Sequence, residues 1–219
     1  MDVRERILEA AVAAYAEFGF GATTRRVADL AGVNEVTLFR HFGSKSALMD
    51  EALAWYLARL TRSEVPLPDE PADPVAELER WASGFHTRLS EARNFLRRAI
   101  GAIEGRQHEA SEAMKASMCA EDELRRYVAR LDALGWLGRL DVADADRPAY
   151  LDAAQGMLFG GLFGDALWRD FMPPECFPFE TETSVRQYVR VFCAALALGR
   201  PADQASLPGG ATHSSITIP

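Results

Sequence analysis

The chain has 219 residues, of which 48% are hydrophobic and 26% charged, with a formal net charge of −8 at pH 7. This length suits one small module joined to a larger one, with enough apolar material for a core without disulfide or metal staples. The acidic total argues against a protein that coats nucleic acid with its whole surface.

In chain order, residues 3–18 place Ile7, Leu8, Ala11, Val12, Tyr15 and Phe18 on one helical stripe, and Asp2 with Glu5 resembles a capping box. Gly19 and Gly21 stop this helix. Thr24 then opens a short second helix that buries Val27, Ala28 and Ala31 and ends at Gly32. Asn34 is placed to cap a third helix with Leu38 and Phe42 inside, closed by Gly43. Ser44 caps a fourth, through Leu48, Leu53, Tyr56, Leu57 and Leu60, which ends before the Pro-rich acidic stretch SEVPLPDEPADP.

Beyond that break, Asp73 and Pro74 begin a helix carrying Val75, Leu78, Trp81, Phe85 and Leu89. Two or three further helices are expected over 91–138, punctuated near Gly105 and Gly135, then one over 147–169 opened by Asp146. After the breaker MPPECFPFE a last helix is expected over 182–199. The fold class is therefore all-α. The expected organisation is a helix-turn-helix domain over 1–48, a helical ligand-binding and dimerisation domain over 49–200, and an irregular tail over 201–219.

No run reaches the roughly 18 apolar residues of a membrane span, and the first residues run straight into a helix, so a cytoplasmic location and no membrane partner are expected. Cys119, Cys176 and Cys193 are widely spaced, with no CxxC pair, and read as buried thiols rather than a zinc or redox site. No nucleophile elbow, P-loop, zinc-protease or dinucleotide motif occurs, so neither catalysis nor a cofactor is expected.

Three short helices with a glycine turn between the second and third describe a helix-turn-helix, whose third helix leaves its outer face for the major groove. Residues 20–49 hold four basic residues against two acidic ones, a net +2 that leaves −10 for the rest. A positive patch on a negative body fits a protein that meets phosphate with one face only. Glu35, Val36, Phe39 and Arg40 point away from Leu38 and Phe42 and are the base-facing candidates. Arg40 can grip guanine, Val36 can touch a thymine methyl, and Glu35 can accept from cytosine. Thr23 and Thr24, at the start of the second helix, and Arg25, Thr37, His41 and Lys45 around it, are candidates for phosphate.

The pieces EFGFGATT, VADLAGV and TLFRHFGSKSAL, within residues 7–53, resemble the DNA-binding domain of the tetracycline-repressor (TetR) family of bacterial transcription regulators. The resemblance implies that Arg25, Glu35, Val36, Phe39 and Arg40 lie at or beside bases, and that Thr24, Thr37, His41 and Lys45 lie at phosphates. The family usually has Tyr where this chain has Phe39, so a phenolic phosphate contact is missing there.

The resemblance further implies a homodimer that binds operator DNA and a small-molecule effector, with the last two helices of each chain forming a four-helix bundle. The candidate dimer face is Leu151, Leu158, Phe159 and Leu162 on the first of them and Val185, Tyr188, Val189, Phe192 and Leu196 on the second. Gly156, Gly160 and Gly164 share one helical face, implying a tight helix crossing or room for a ligand. Candidate pocket residues are Trp81, Phe85, Leu89, Ile103 and Met114, together with Met118, Trp136, Met157, Phe163 and Trp168, though most large apolar residues are simply core. His86, Arg98, Glu104, His108 and Asp165 are polar candidates for orienting a ligand. The functional expectation is a repressor released from a palindromic operator by an inducer; an activator, or a ligand-independent DNA-binding or interaction protein, are the alternatives.

Overall fold

Helix accounts for nearly all the regular structure in the computed structural model, which describes residues 2–103 and 119–199. The elements are α1 (Val3–Phe18), α2 (Thr24–Ala31), α3 (Glu35–Phe42), α4 (Lys45–Thr61), α5 (Pro74–Ile103), α6 (Cys119–Ala133), α7 (Arg147–Trp168) and α8 (Thr181–Ala195). One isolated antiparallel bridge, Leu137 with Leu198, is the exception among the described residues. No described helix is long and apolar enough to cross a membrane.

The first four helices form where their caps put them. Gly32 ends α2 in the left-handed region (φ 65°, ψ 37°), where a side chain would be strained. Asn34 Oδ1 accepts from Thr37 N at 2.7 Å and Ser44 Oγ from Ala47 N at 3.1 Å, so two adjacent helix starts have their free amides satisfied. Ile7, Leu8, Ala11 and Ala14 of α1 meet Val27 and Ala28 of α2, Leu38 and Phe42 of α3, and Leu48 and Ala52 of α4 in one small core. The expected capping box at the start of α1 does not form: Asp2 sits at the cap, but its side chain makes no cap hydrogen bond, and only its carbonyl engages, accepting from Arg6 N at 3.0 Å. A reciprocal cap does form at α5, where Asp73 Oδ1 accepts from Ala76 N while Glu77, one residue beyond the usual capping-box position, accepts through Oε1 from Ala72 N and Asp73 N.

Two expected boundaries move. α5 runs unbroken for 30 residues: Ala92, Phe95 and Leu96 extend the stripe of Trp81, Phe85 and Leu89, the helix carries through Gly84, and neither Gly nor Pro occurs between Gly84 and Gly101. α8 stops at Ala195 instead of reaching 199. Ala197 turns to positive φ (48°), and the chain folds back so that Ala197 O accepts from Gly138 N and Trp136 O accepts from Gly199 N, both at 3.0 Å. Gly138 permits this approach: a Cβ there would lie 2.7 Å from Ala197 O.

α5, α7 and α8 pack together as the centre of the larger unit, and α4 and α1 contact α5, which joins the two cores into one continuous cluster. This packing corrects the expected dimer face. Leu158, Leu162, Val185, Val189, Phe192 and Leu196 are buried inside the chain's own core, and Leu151, Phe159 and Tyr188 are half-buried against it. The most apolar stripes of α7 and α8 are packed within the chain's own core, chiefly against α5, which leaves a set of outward residues to solvent. Those are Ala153, Gly156, Met157 and Gly160 on α7 and Val191 and Ala194 on α8, with Met157 73% and Val191 64% exposed. Within the chain nothing lies within 4 Å of where a Cβ would stand at Gly156, Gly160 or Gly164, so these glycines serve no crossing in one chain.

Candidate nucleic-acid interface

α3 lies across the small core with Leu38 and Phe42 fully inward, which turns the opposite side of an eight-residue helix to solvent. Val36 is 77% and Phe39 41% exposed, and Arg40 is exposed beside them. Large apolar side chains at such exposure, next to a guanidinium, form a surface suited to base edges and thymine methyls. Among the described residues no hydrogen bond or ion pair engages the side chain of Arg40.

Glu35 stands differently. It is only partly exposed, and its Oε1 accepts a hydrogen bond from Thr24 Oγ1 at 2.7 Å. This pair ties the first residue of α2 to the first residue of α3, fixing the angle between the two helices. It also occupies one lone pair of the carboxylate and turns its negative charge toward α2. Thr23, at the α2 cap, uses its Oγ1 to accept from Arg26 N at 3.2 Å, so both threonines have structural partners at the helix start.

The two adjacent arginines of α2 separate into distinct roles. Arg26 lies over the Phe18 ring, 4.4 Å from its centroid, and near Glu17 at 3.8 Å, so it belongs to the α1–α2 junction. Arg25 is exposed, with no side-chain partner among the described residues. Thr37 is partly buried one turn into α3, and His41 is partly buried at the far end beside Phe42, ring centroids 6.2 Å apart. Lys45 begins α4 directly after the Ser44 cap. Arg25, Val36, Phe39 and Arg40 are thus exposed and His41 and Lys45 partly so, while Thr24 and Glu35 join the starts of α2 and α3.

In the larger unit, Trp81, Phe85 and Leu89 are fully buried, and aromatic contacts run from Trp81 through Phe85 and Phe159 to Phe163 at centroid separations of 5.5, 5.1 and 6.3 Å. Trp136 is partly buried against the same core. Met157 is 73% exposed, and Trp168 is 38% exposed with Phe171 and Arg97 against its ring, so neither is part of the buried core. Met114, Met118, Glu104, His108 and the side chains of Ile103 and Arg98 lie outside the described residues.

Two of the polar candidates, far apart in sequence, prove to be partners. Asp165 is 1% exposed, and His86 Nε2 lies 2.8 Å from its Oδ1. Arg169 Nε donates to the same oxygen at 2.9 Å, and Tyr188 donates to Oδ2 at 3.1 Å. Burial would raise the carboxyl's pKa, but the hydrogen bonds from His86 and Arg169 and the charge on Arg169 outweigh it and hold Asp165 at about 2. The sequence reading missed Arg169 and Tyr188. The four-residue spacing of Asp165 and Arg169 was an available signal, whereas the approach of His86 and Tyr188 depends on the packing of three helices.

Comparison with known proteins places these observations. Residues 7–52 match the sequence model for bacterial regulatory proteins of the tetR family. Over 77 residues the chain is 39% identical to the HTH-type transcriptional repressor KstR2 of Mycobacterium tuberculosis, a stretch that covers 35% of this chain and 38% of that protein. The chain thus spans well under half of the curated relative's length. The fold as a whole is similar to a transcriptional regulator from Rhodococcus sp. Rha1 (TM-score 0.64, 19% identity, 90% of this chain and 99% of that one). It is also similar to FadR of Thermus thermophilus, a TetR family transcriptional repressor solved in complex with lauroyl-CoA (TM-score 0.59, 22% identity, 94% and 100%). Residues 7–52 are thus similar to the helix-turn-helix module of the tetR family, and the all-helical body shares its fold with transcriptional regulators that include a TetR family repressor.

Proposed function

We propose that the chain is a homodimeric transcriptional repressor that reads a palindromic operator through α3 and is released by a small molecule. The observation that carries this reading is the outward face of α3, where Val36, Phe39 and Arg40 are exposed on a helix anchored by Leu38 and Phe42, capped by Asn34 at its start and ended by Gly43, whose N–H donates to Phe39 O. An apolar and cationic surface on a short, well-anchored helix has the chemistry of direct base readout.

A dimer is supported by the unused outward stripe of α7 and α8, where the open glycine positions would let a second copy's helices approach closely. Two recognition helices must then lie about one DNA turn apart, roughly 34–36 Å. A ligand that prefers a different spacing draws the population away from DNA. KstR2 is named a repressor, and FadR of T. thermophilus carries lauroyl-CoA in its structure; both favour a repressor with a small-molecule effector.

A footprint on the DNA flanking the chain's own gene tests this. The expected result is a protected inverted repeat whose halves lie one turn, or a whole number of turns, apart. Protection without sequence preference, or none at low salt, contradicts it.

A further inference from the structure

Away from α3, positive charge gathers where α4 ends. The non-helical strap over 62–73 crosses α6 and is fastened to it at two points: Glu123 Oε1 accepts from Leu67 N at 2.7 Å, and Arg130 Nε donates to Asp69 O at 3.0 Å. Between strap and helix is a cleft of about 750 Å³, lined in part by Arg62, Pro66, Leu67, Arg126, Tyr127 and Arg130. That volume falls within the range of small-molecule sites.

The lining combines two chemistries. Pro66, Leu67 and the Tyr127 ring supply an apolar wall, while three arginines from two elements stand over it. Among the described residues no hydrogen bond or ion pair engages the guanidinium of Arg62 or Arg126, and Arg130 commits only its Nε. Arg126 and Arg130 are four apart on α6 and therefore share a face. Of the two acids in the lining, Glu123 is already an acceptor for the strap amide. In a chain of net charge −8, an arginine-rich cleft of this size has the fork geometry that suits phosphate and carboxylate groups.

We propose that this cleft binds an anionic ligand, a phosphate or carboxylate group on an apolar or aromatic body, and that its occupancy controls α4. The second half rests on the DNA-binding reading above; the first does not. Arg62 is the first residue past α4, and Arg88 Nε donates to Leu60 O at 3.0 Å at the same end. The 17 residues of α4 reach from there to the Ser44 cap beside α3, about 25 Å at the rise of an α-helix. An anion bridging Arg62 to Arg126 and Arg130 holds the end of α4 against α6, and so favours one position of the recognition unit over another.

The test uses the full chain and three aromatic probes of one size, 1-naphthyl phosphate, 1-naphthoate and 1-naphthylmethylamine, with binding read by calorimetry. At least one of the two anions is expected to bind and the amine not to; the stronger anion identifies the headgroup. The Arg62→Ala/Arg126→Ala double variant is expected to weaken the anion at least tenfold with an unchanged thermal midpoint, and the Arg62→Lys/Arg126→Lys variant to recover part of the loss. No binding of either anion at millimolar concentration, equal binding by the double alanine variant, or equal binding of the amine overturns the site. Operator affinity measured in parallel separates the two halves. An anion that weakens operator binding in the wild type but not in the double alanine variant supports the coupling. An anion that binds in the cleft and leaves operator affinity unchanged overturns it. A wild type that binds no operator at all fails the regulatory reading while the cleft is judged on its own calorimetry.

Discussion

Arg40 and Glu35 sit five residues apart on the same short helix and do opposite things. Arg40 is exposed with no side-chain partner among the described residues, whereas Glu35 spends its acceptor on Thr24 across the turn. Replacing Arg40 with Ala is expected to cost about 1–3 kcal/mol in operator binding and to relax preference at one base pair, measured by fluorescence anisotropy against a panel of operator variants. Replacing Glu35 with Ala should act first on the protein, lowering its unfolding free energy by about 1 kcal/mol through the lost hydrogen bond, while Glu35→Gln, which keeps an acceptor, should lower it less. Equal stability of both variants in urea melts would show that the Thr24 contact holds nothing. The sequence placed Glu35 on the outward side of α3 because helical periodicity alone decides that. It could not show the Thr24 partner, since eleven residues and a turn separate them and the angle between α2 and α3 is a property of packing.

At the scale of elements, helix starts were the most legible feature. The caps at Asn34, Ser44 and Asp73 are local chemistry, and the structure forms all three; Asp2 and Asp146 are cap residues without a side-chain cap hydrogen bond. Asn34→Ala should destabilise the chain by about 1 kcal/mol in chemical denaturation. Helix partners were less legible. Periodicity found the apolar stripes of α7 and α8 but could not say which core they fill, and the structure gives the strongest stripe to α5. This separates two mutations on one helix. Phe192→Ala, a buried truncation on α8, should cost about 3–5 kcal/mol of folding stability. Val191→Glu, its exposed neighbour, should leave the fold intact and shift the dimer toward monomer in sedimentation. A Val191→Glu chain that remains dimeric would move the interface elsewhere.

At the scale of the whole molecule, a buried carboxylate links three helices. Asp165 on α7 collects His86 from α5 and Tyr188 from α8, so its protonation state bears on the larger unit as a body. Its pKa in the fold is about 2, below the ordinary 3.8. A lowered carboxylate contributes stability that is complete above the unfolded value and is lost as pH falls toward and through the folded one, here between about pH 4 and pH 2. The shift corresponds to about 2 kcal/mol. Unfolding free energies across that interval should fall in the wild type, and should fall by that much less in Asp165→Asn, which starts less stable.

Net charge is the least informative whole-molecule number in the sequence, because the acidic total conceals two separate positive surfaces. Only one of them, at α3, was legible from a motif; the other joins Arg62 to Arg126 and Arg130 by folding alone. Whether α3 reads DNA is tested most directly by the salt dependence of operator affinity. The expected result is a steep linear fall in log affinity with log salt for the wild type, a slope shallower by about one unit for Lys45→Ala, and for Arg40→Ala a loss of similar size at every salt concentration with little change of slope. Identical lines for the three proteins would contradict α3 and its flanking lysine as the DNA-reading surface.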